Sequence, residues 1–155
     1  MRSRFVLVAC IASIVIGVLF FIFTPSAPPA GGVMLSLGSA SIHVELATTT
    51  AARARGLSGR AALAAGQGLL FVFSRDGQYS FWMKDMNFPI DIIWIAADGR
   101  VVEVASRVLP ETYPRAFTSR EPARFVLEVP SGFAAAKGIV PGALARDIPA
   151  GLAAE

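Results

Sequence analysis

Residues 5–23, FVLVACIASIVIGVLFFIF, run without a charge, and Arg2 and Arg4 stand directly before them. At 1.5 Å per residue such a run spans about 28 Å as a helix, close to the hydrocarbon thickness of a bilayer. A cleavable signal has an apolar core of about 7–15 residues that ends in a small-x-small site. The run here is longer, and the TPSAPPAGG that follows offers no clean A-x-A. An uncleaved signal anchor over residues 1–24 is therefore expected, with secretion after signal cleavage as the alternative. No basic residue follows the span until Arg53. The positive-inside bias then holds the N-terminus in the cytoplasm and exports the rest. The expected location is the inner or cytoplasmic membrane, crossed once, with the C-terminal domain periplasmic or extracellular. The Pro/Ala/Gly stretch 25–32 reads as a tether, which leaves residues 33–155 as the exported domain.

This division changes what the composition means. The hydrophobic fraction of 54% and mean hydropathy of +0.59 are raised by the N-terminal run. Cys10 is the single cysteine. Leu7-Val8-Ala9-Cys10 has the look of a lipobox, but few residues precede Cys10 and a long apolar stretch follows it. It reads as a cysteine inside the membrane helix. Without a second cysteine the exported domain has no internal disulfide, so packing must hold it together. The pI of 9.6 invites a nucleic-acid partner. Setting aside Arg2 and Arg4, however, 12 of the 14 basic residues face 11 acids. With no basic run and no recognisable motif, nucleic acid is rejected as a partner.

Within the domain, ASIHVELA (40–47) alternates polar and apolar residues, as a half-buried strand does. TTTAARARGL (48–57) changes period, and a Thr cap with Gly56 as a stop predicts a two-turn helix. GRAALAAGQ (59–67) is a candidate for another helical turn. LLFVF (69–73) and YSFWM (79–83) flank Asp76-Gly77, and IDIIWIA (90–96) and VVEVASRV (101–108) flank Asp98-Gly99. Both read as hairpins with two-residue turns. RFVLEVP (124–130) predicts a strand, SGFAAAKG (131–138) a short helix closed by Gly138, and 109–122 a long loop. The fold expected is mainly β, a compact sandwich- or barrel-like domain with one or two short helices behind an N-terminal membrane helix.

The stretch FWMKDMNFPIDIIWI (81–95) sets charges among large apolar side chains. A two-residue turn at Asp98-Gly99 would pair residues 97 and 100, placing Asp91 opposite Ser106, Ile93 opposite Val104 and Ile95 opposite Val102. Asp91 then shares a face with Ile93 and Ile95. A buried carboxylate of that kind needs a donor, and Lys84, Arg55 and Ser106 are the candidates. In the first hairpin Phe71 would face Trp82 and Leu69 would face Lys84. Arg55, Phe71, Trp82, Met83, Lys84, Asp85 and Asp91 are the expected ligand-binding residues, with an apolar floor and charged anchors. The structural readings stand beside them: aromatic packing, a solvated turn at Lys84 and Asp85, and Asp91 tying the 84–89 link to neighbouring backbone N–H groups. His43 is alone and on a polar face, there is no Cys cluster, and neither a metal site nor a cofactor is expected.

GLLFVF, then FWMKDMNFPIDIIWIAADGRVVEV, then RFVLEVPSGFAAAKGI resemble the DUF192 family, a domain of unknown function found in small exported bacterial and archaeal proteins. The resemblance covers roughly residues 41–146 and implies a compact, mostly β, sandwich-like domain, with no activity attached. Family members usually carry Met where Ser58 stands and Asn where Asp85 stands. The reading is a membrane-tethered extracytoplasmic binding or accessory module of the cell envelope, taking an unknown small molecule or envelope protein. Two alternatives accompany it. One is a glycosidase-like hydrolase using a carboxylate pair, Asp85 with Asp91 or Glu128. The other is a structural envelope protein that binds a partner through exposed aromatics.

Overall fold

The computed structural model describes residues 32–148. The expected anchor, Cys10 and all but the end of the tether lie outside the described residues. Among those described, no helix is long and apolar enough to cross a membrane. Seven strands form one sheet: β1 Val33–Leu37, β2 Ala40–Ala47, β3 Gln67–Gly77, β4 Ile90–Ile95, β5 Val101–Val108, β6 Ala123–Pro130 and β7 Ala145–Arg146. Helices α1, Thr50–Arg55, and α2, Phe133–Ala136, are both short. The strand order is β5-β4-β6-β3-β2-β1-β7. The β2–β3 pair is parallel, and the connection that carries α1 supplies the crossover such a pair requires.

The sheet curls into a half-barrel, a single curved layer where the sequence allowed either two stacked sheets or a barrel. At one end its two edges meet. Arg100 bridges to Leu144, Val101 N donates to Ala143 O at 2.8 Å, and Ala145 N donates to Gly99 O at 2.7 Å. These bonds occupy backbone groups that an edge would leave open to another chain. Gly99 makes the approach possible. It sits at φ +85°, and a Cβ there would lie 2.5 Å from Ala145 O. Gly99→Ala should destabilise the fold by about 1–3 kcal/mol, the usual range for such backbone strain, read as a lower urea midpoint with an unchanged slope.

Both faces of the sheet are buried. On one face Leu35, Leu37, Ile42, Val44, Leu70, Val72, Ile93 and Ile95 cluster, with Ala134 of α2 against them. On the other Leu69, Phe71, Ile92, Trp94 and Val126 cluster beneath Leu57 and Met83. β3 alternates between the two, so its continuous apolar run is that of a strand covered twice.

The expected first hairpin does not form. β3 runs on to Gly77, between β2 on one side and β6 on the other, so residues 79–83 have no free edge beside it. They cross the second face instead, and Phe81 exchanges two 2.8 Å backbone bonds with Phe117. The second hairpin does form. Ile93 pairs with Val104 as read, but Ala96 N donates to Arg100 O, giving a three-residue loop with Gly99 left-handed. The register therefore slips by one at Ile95, which pairs with Val101 rather than Val102.

A second slip lies at Asp91. Ile90 pairs with Val108 and Ile92 with Ala105, so two residues bulge opposite Asp91, and Arg107 takes φ +52°. The helices at 50–55 and 133–136 appear where caps and stops placed them. The turn expected within 59–67 is not helical; Gly59 and Gly66 both hold positive φ there. β1 and the two-residue β7 had no counterpart in the sequence reading.

The Glu128 cleft

β6 lies between β3 and β4, where Glu128 pairs with Leu69 on one side and Ile92 on the other. Alternation puts it on the same face as Val126, so a carboxyl stands in an apolar row. Glu128 is only 5% exposed, and its Oε2 has no hydrogen-bond partner. Burial pushes its carboxyl up to about 8, and the charge of Arg60 pulls back against that shift. Arg60 is itself committed. Its two guanidinium nitrogens donate to both carboxylate oxygens of Glu45 at 2.6 and 2.7 Å. That bond lowers Glu45 and raises Arg60. Glu45, Leu69, Glu128 and Ile92 form one cross-strand row over β2, β3, β6 and β4. The one cation acting on Glu128 is thus already held by its neighbour two strands away.

Above Glu128 lies a cleft of about 430 Å³, within the range of small-molecule sites. α1 forms one rim. Thr49 Oγ1 accepts from Ala52 N at 3.1 Å to start it, and Gly56 ends it at φ +53°. A Cβ on Gly56 would lie 3.3 Å from Phe71 Cζ and 4.0 Å from Glu128 Oε2. Glycine there both permits the turn and leaves the floor open.

The walls are aromatic and fixed. Phe81 meets Phe71 edge-on at 4.7 Å and Trp94 at 6.1 Å, while Phe73 stacks on Tyr79 at 3.5 Å. Trp94 Nε1 donates to Tyr79 O at 2.9 Å, tying the covering segment to the sheet. The Arg53 guanidinium donates to Thr48 O and, at 3.1 Å, to Val72 O. It also lies 5.4 Å over the Phe73 ring. Trp82, which lines the cleft, is 55% exposed and meets Tyr113 edge-on at 5.9 Å.

Of the residues expected to bind a ligand, Arg55, Phe71 and Trp82 line this cleft. Met83 does not; it is buried in the core beneath the covering segment. Lys84 and Asp85 form an exposed turn, with Asp85 at φ +55°. Their carbonyls accept from Ser58 Oγ at 2.9 Å and from Gly59 N at 2.8 Å.

Asp91 faces the opposite side of the sheet. Its Oδ1 accepts from Arg107 N at 2.7 Å and Gly132 N at 3.0 Å, and its Oδ2 from Ala134 N at 2.8 Å. The donors are therefore backbone groups of the bulge and of α2, not Lys84, Arg55 or Ser106. Asp91 and Glu128 are separated by the sheet, and Asp85 is not among the lining residues, so the carboxyls weighed as a hydrolytic pair do not converge in the cleft. Tyr79 and Phe81 were missed, because the hairpin reading put residues 79–83 within the sheet instead of over it; Arg53, on α1 two residues before Arg55, was missed as well. Glu128 had a signal, a lone charge inside RFVLEVP.

His43, expected on a polar face, is half-buried, and its Nδ1 lacks a partner. No group of three or more metal-ligating side chains occurs among the described residues.

The family model DUF192, described as an uncharacterized ACR, matches residues 33–146. Two solved structures share the fold. One, a protein of unknown function from Novosphingobium aromaticivorans, is 29% identical with a TM-score of 0.72, over 79% of this chain and 92% of that one. The other, described as a candidate transcription regulator from Sinorhizobium meliloti, is 30% identical with a TM-score of 0.69, over 73% and 91%. Among curated proteins no sequence matches this chain.

Proposed function

This chain belongs to the DUF192 family, and from that premise we propose that its β domain is a ligand-binding module whose site is the Glu128 cleft. The N-terminal apolar run would hold it at the outer face of the cytoplasmic membrane. The observation that carries the reading is the Glu128 carboxyl, buried at the floor of an aromatic cleft with Oε2 unpartnered. A fold gains nothing from an unsatisfied carboxyl in an apolar row, since burial without a partner costs about 1–3 kcal/mol. Such a group is retained where a ligand supplies the missing partner.

The test is a thermal-shift screen of the full-length chain against envelope metabolites and glycans, run beside Ser80→Trp. Ser80 is exposed and lines the cleft, so an indole there fills the space without disturbing the core. The expected result is a compound that raises the Tm of the parent by several degrees and leaves Ser80→Trp unmoved. Equal shifts in both would place binding elsewhere. A screen without hits, combined with a protein partner captured through the exposed Trp82 and Tyr113 rings, would favour a purely structural envelope role. For the tether, a C-terminal reporter active only outside the cytoplasm should be active. Activity of a cytoplasm-only reporter would contradict export.

A further inference from the structure

We infer that the cleft takes a small organic acid with an apolar body, whose carboxylate oxygen accepts a hydrogen bond from the Glu128 carboxyl at the floor. This rests on the reading of the cleft as a ligand site and names the class of ligand. Charge decides between classes. The charged side chains lining the cleft are Arg53, Arg55 and Glu128, and the field of Arg60 also reaches Glu128. An ammonium ligand would pass two guanidinium groups and would have to ionise a carboxyl surrounded by Leu69, Ile92 and Phe71. An anion enters down the same field and meets a carboxyl that burial keeps protonated at neutral pH.

One aromatic face that could favour a cation is already used. Phe73 carries Tyr79 on one contact and Arg53 on another. Phe71, Phe81 and Met86 remain as lining for an apolar body. The titratable and charged groups around Glu128 come from several elements: Arg60 and its partner Glu45, Arg53 and Arg55 of α1, and Tyr79 of the covering segment. Its sheet neighbours Leu69 and Ile92 are apolar.

Three probes with one body separate the cases: 3-phenylpropionate, its amide, and 3-phenylpropylamine. Each is titrated calorimetrically into the full-length chain in detergent micelles from pH 6.5 to 9.5. The acid should bind and the amine should not. The Kd of the acid should rise about tenfold per pH unit above pH 8, as Glu128 loses the proton it donates. Glu128→Gln, whose amide still donates, should bind the acid with a flat pH profile. Arg55→Ala should bind several-fold more weakly, with a reduced salt dependence.

Preference for the amine, or an affinity for the acid that grows through pH 8, overturns the acid assignment. If Ser80→Trp abolishes that binding too, the cleft reading survives without it. Silence from all three probes also overturns the assignment, and the library screen then decides the cleft reading by itself.

Discussion

At pH 9 Glu128→Gln should be more stable than the parent by about 3–5 kcal/mol, while at pH 5 the two should differ by less than about 1 kcal/mol. The cause is a carboxyl whose value rises from 4.5 to about 8 on folding, chiefly through burial. Between those values the folded chain holds a proton that the unfolded chain has released. Its contribution to stability is thus complete below about 4.5, declines as the pH rises toward 8, and levels off above. A tenfold change in proton affinity is worth about 1.36 kcal/mol, which sets the size of the effect. Gln matches the shape and is neutral throughout, so it removes the slope. Glu45 is shifted the opposite way by its bond to Arg60, but it is present in both chains and cancels in the difference. Urea unfolding at pH 5, 7 and 9 reads the effect. Parallel pH profiles for the two chains would mean that the carboxyl is ionised and satisfied in the folded state.

The second large effect runs the other way. Asp91→Ala should destabilise the fold by about 3–5 kcal/mol, the range for removing one partner of a buried charged network. Asp91 is fully buried, and its loss leaves the N–H groups of Arg107, Gly132 and Ala134 without an acceptor. Those donors belong to a left-handed bulge residue and to the first turn of a four-residue helix. Asp91→Asn should cost less, since its oxygen can still serve Arg107 and Gly132 while its amide opposes Ala134 N. Chemical denaturation orders the three proteins as parent, Asn, Ala. A loss below 1 kcal/mol for the Ala variant would show that the bulge and α2 stand without the carboxylate.

These two acids show what the sequence could and could not convey. IDIIWIA (90–96) and VVEVASRV (101–108) flank Asp98-Gly99, and that turn signal made the hairpin, and the Ile93–Val104 pair within it, legible. A bulge shifts the register by one residue and has little signature of its own, so the partners of Ile95 and Asp91 were not. Asp91 looked functional because it was a carboxylate on an apolar face. Its donors are backbone groups far along the chain, at Arg107 and within 132–134, and backbone donors carry no residue type to recognise. The Asp76-Gly77 pair had the chemistry of a turn. Yet β3 finds its neighbours in β2 and β6, and pairing with those strands overrode the local signal.

The cleft was legible in part for the same reason. Arg55, Phe71 and Trp82 came from reading charge and aromatics together. Phe81 and Tyr79 required knowing that their segment crosses the face of the sheet. Glu128 was visible as one charge in an apolar strand, but strand order placed it at the floor, between Leu69 and Ile92. β7 is a two-residue edge strand that pairs only with the end of β1, whereas β1 joins β2 through the tight turn at Gly38-Ser39, which the sequence reading passed over.

The most direct measurement is the titration of the Glu128 side-chain carboxyl itself, followed by carbon NMR in the full-length chain with Glu128→Gln to assign the signal. The midpoint should lie near 8, well separated from the remaining carboxylates, and the signal should be perturbed when a ligand occupies the cleft. A midpoint near 4.5, unmoved by any compound that stabilises the protein, would show a carboxyl already satisfied by solvent or by the chain. The floor of the cleft would then hold nothing in reserve for a ligand.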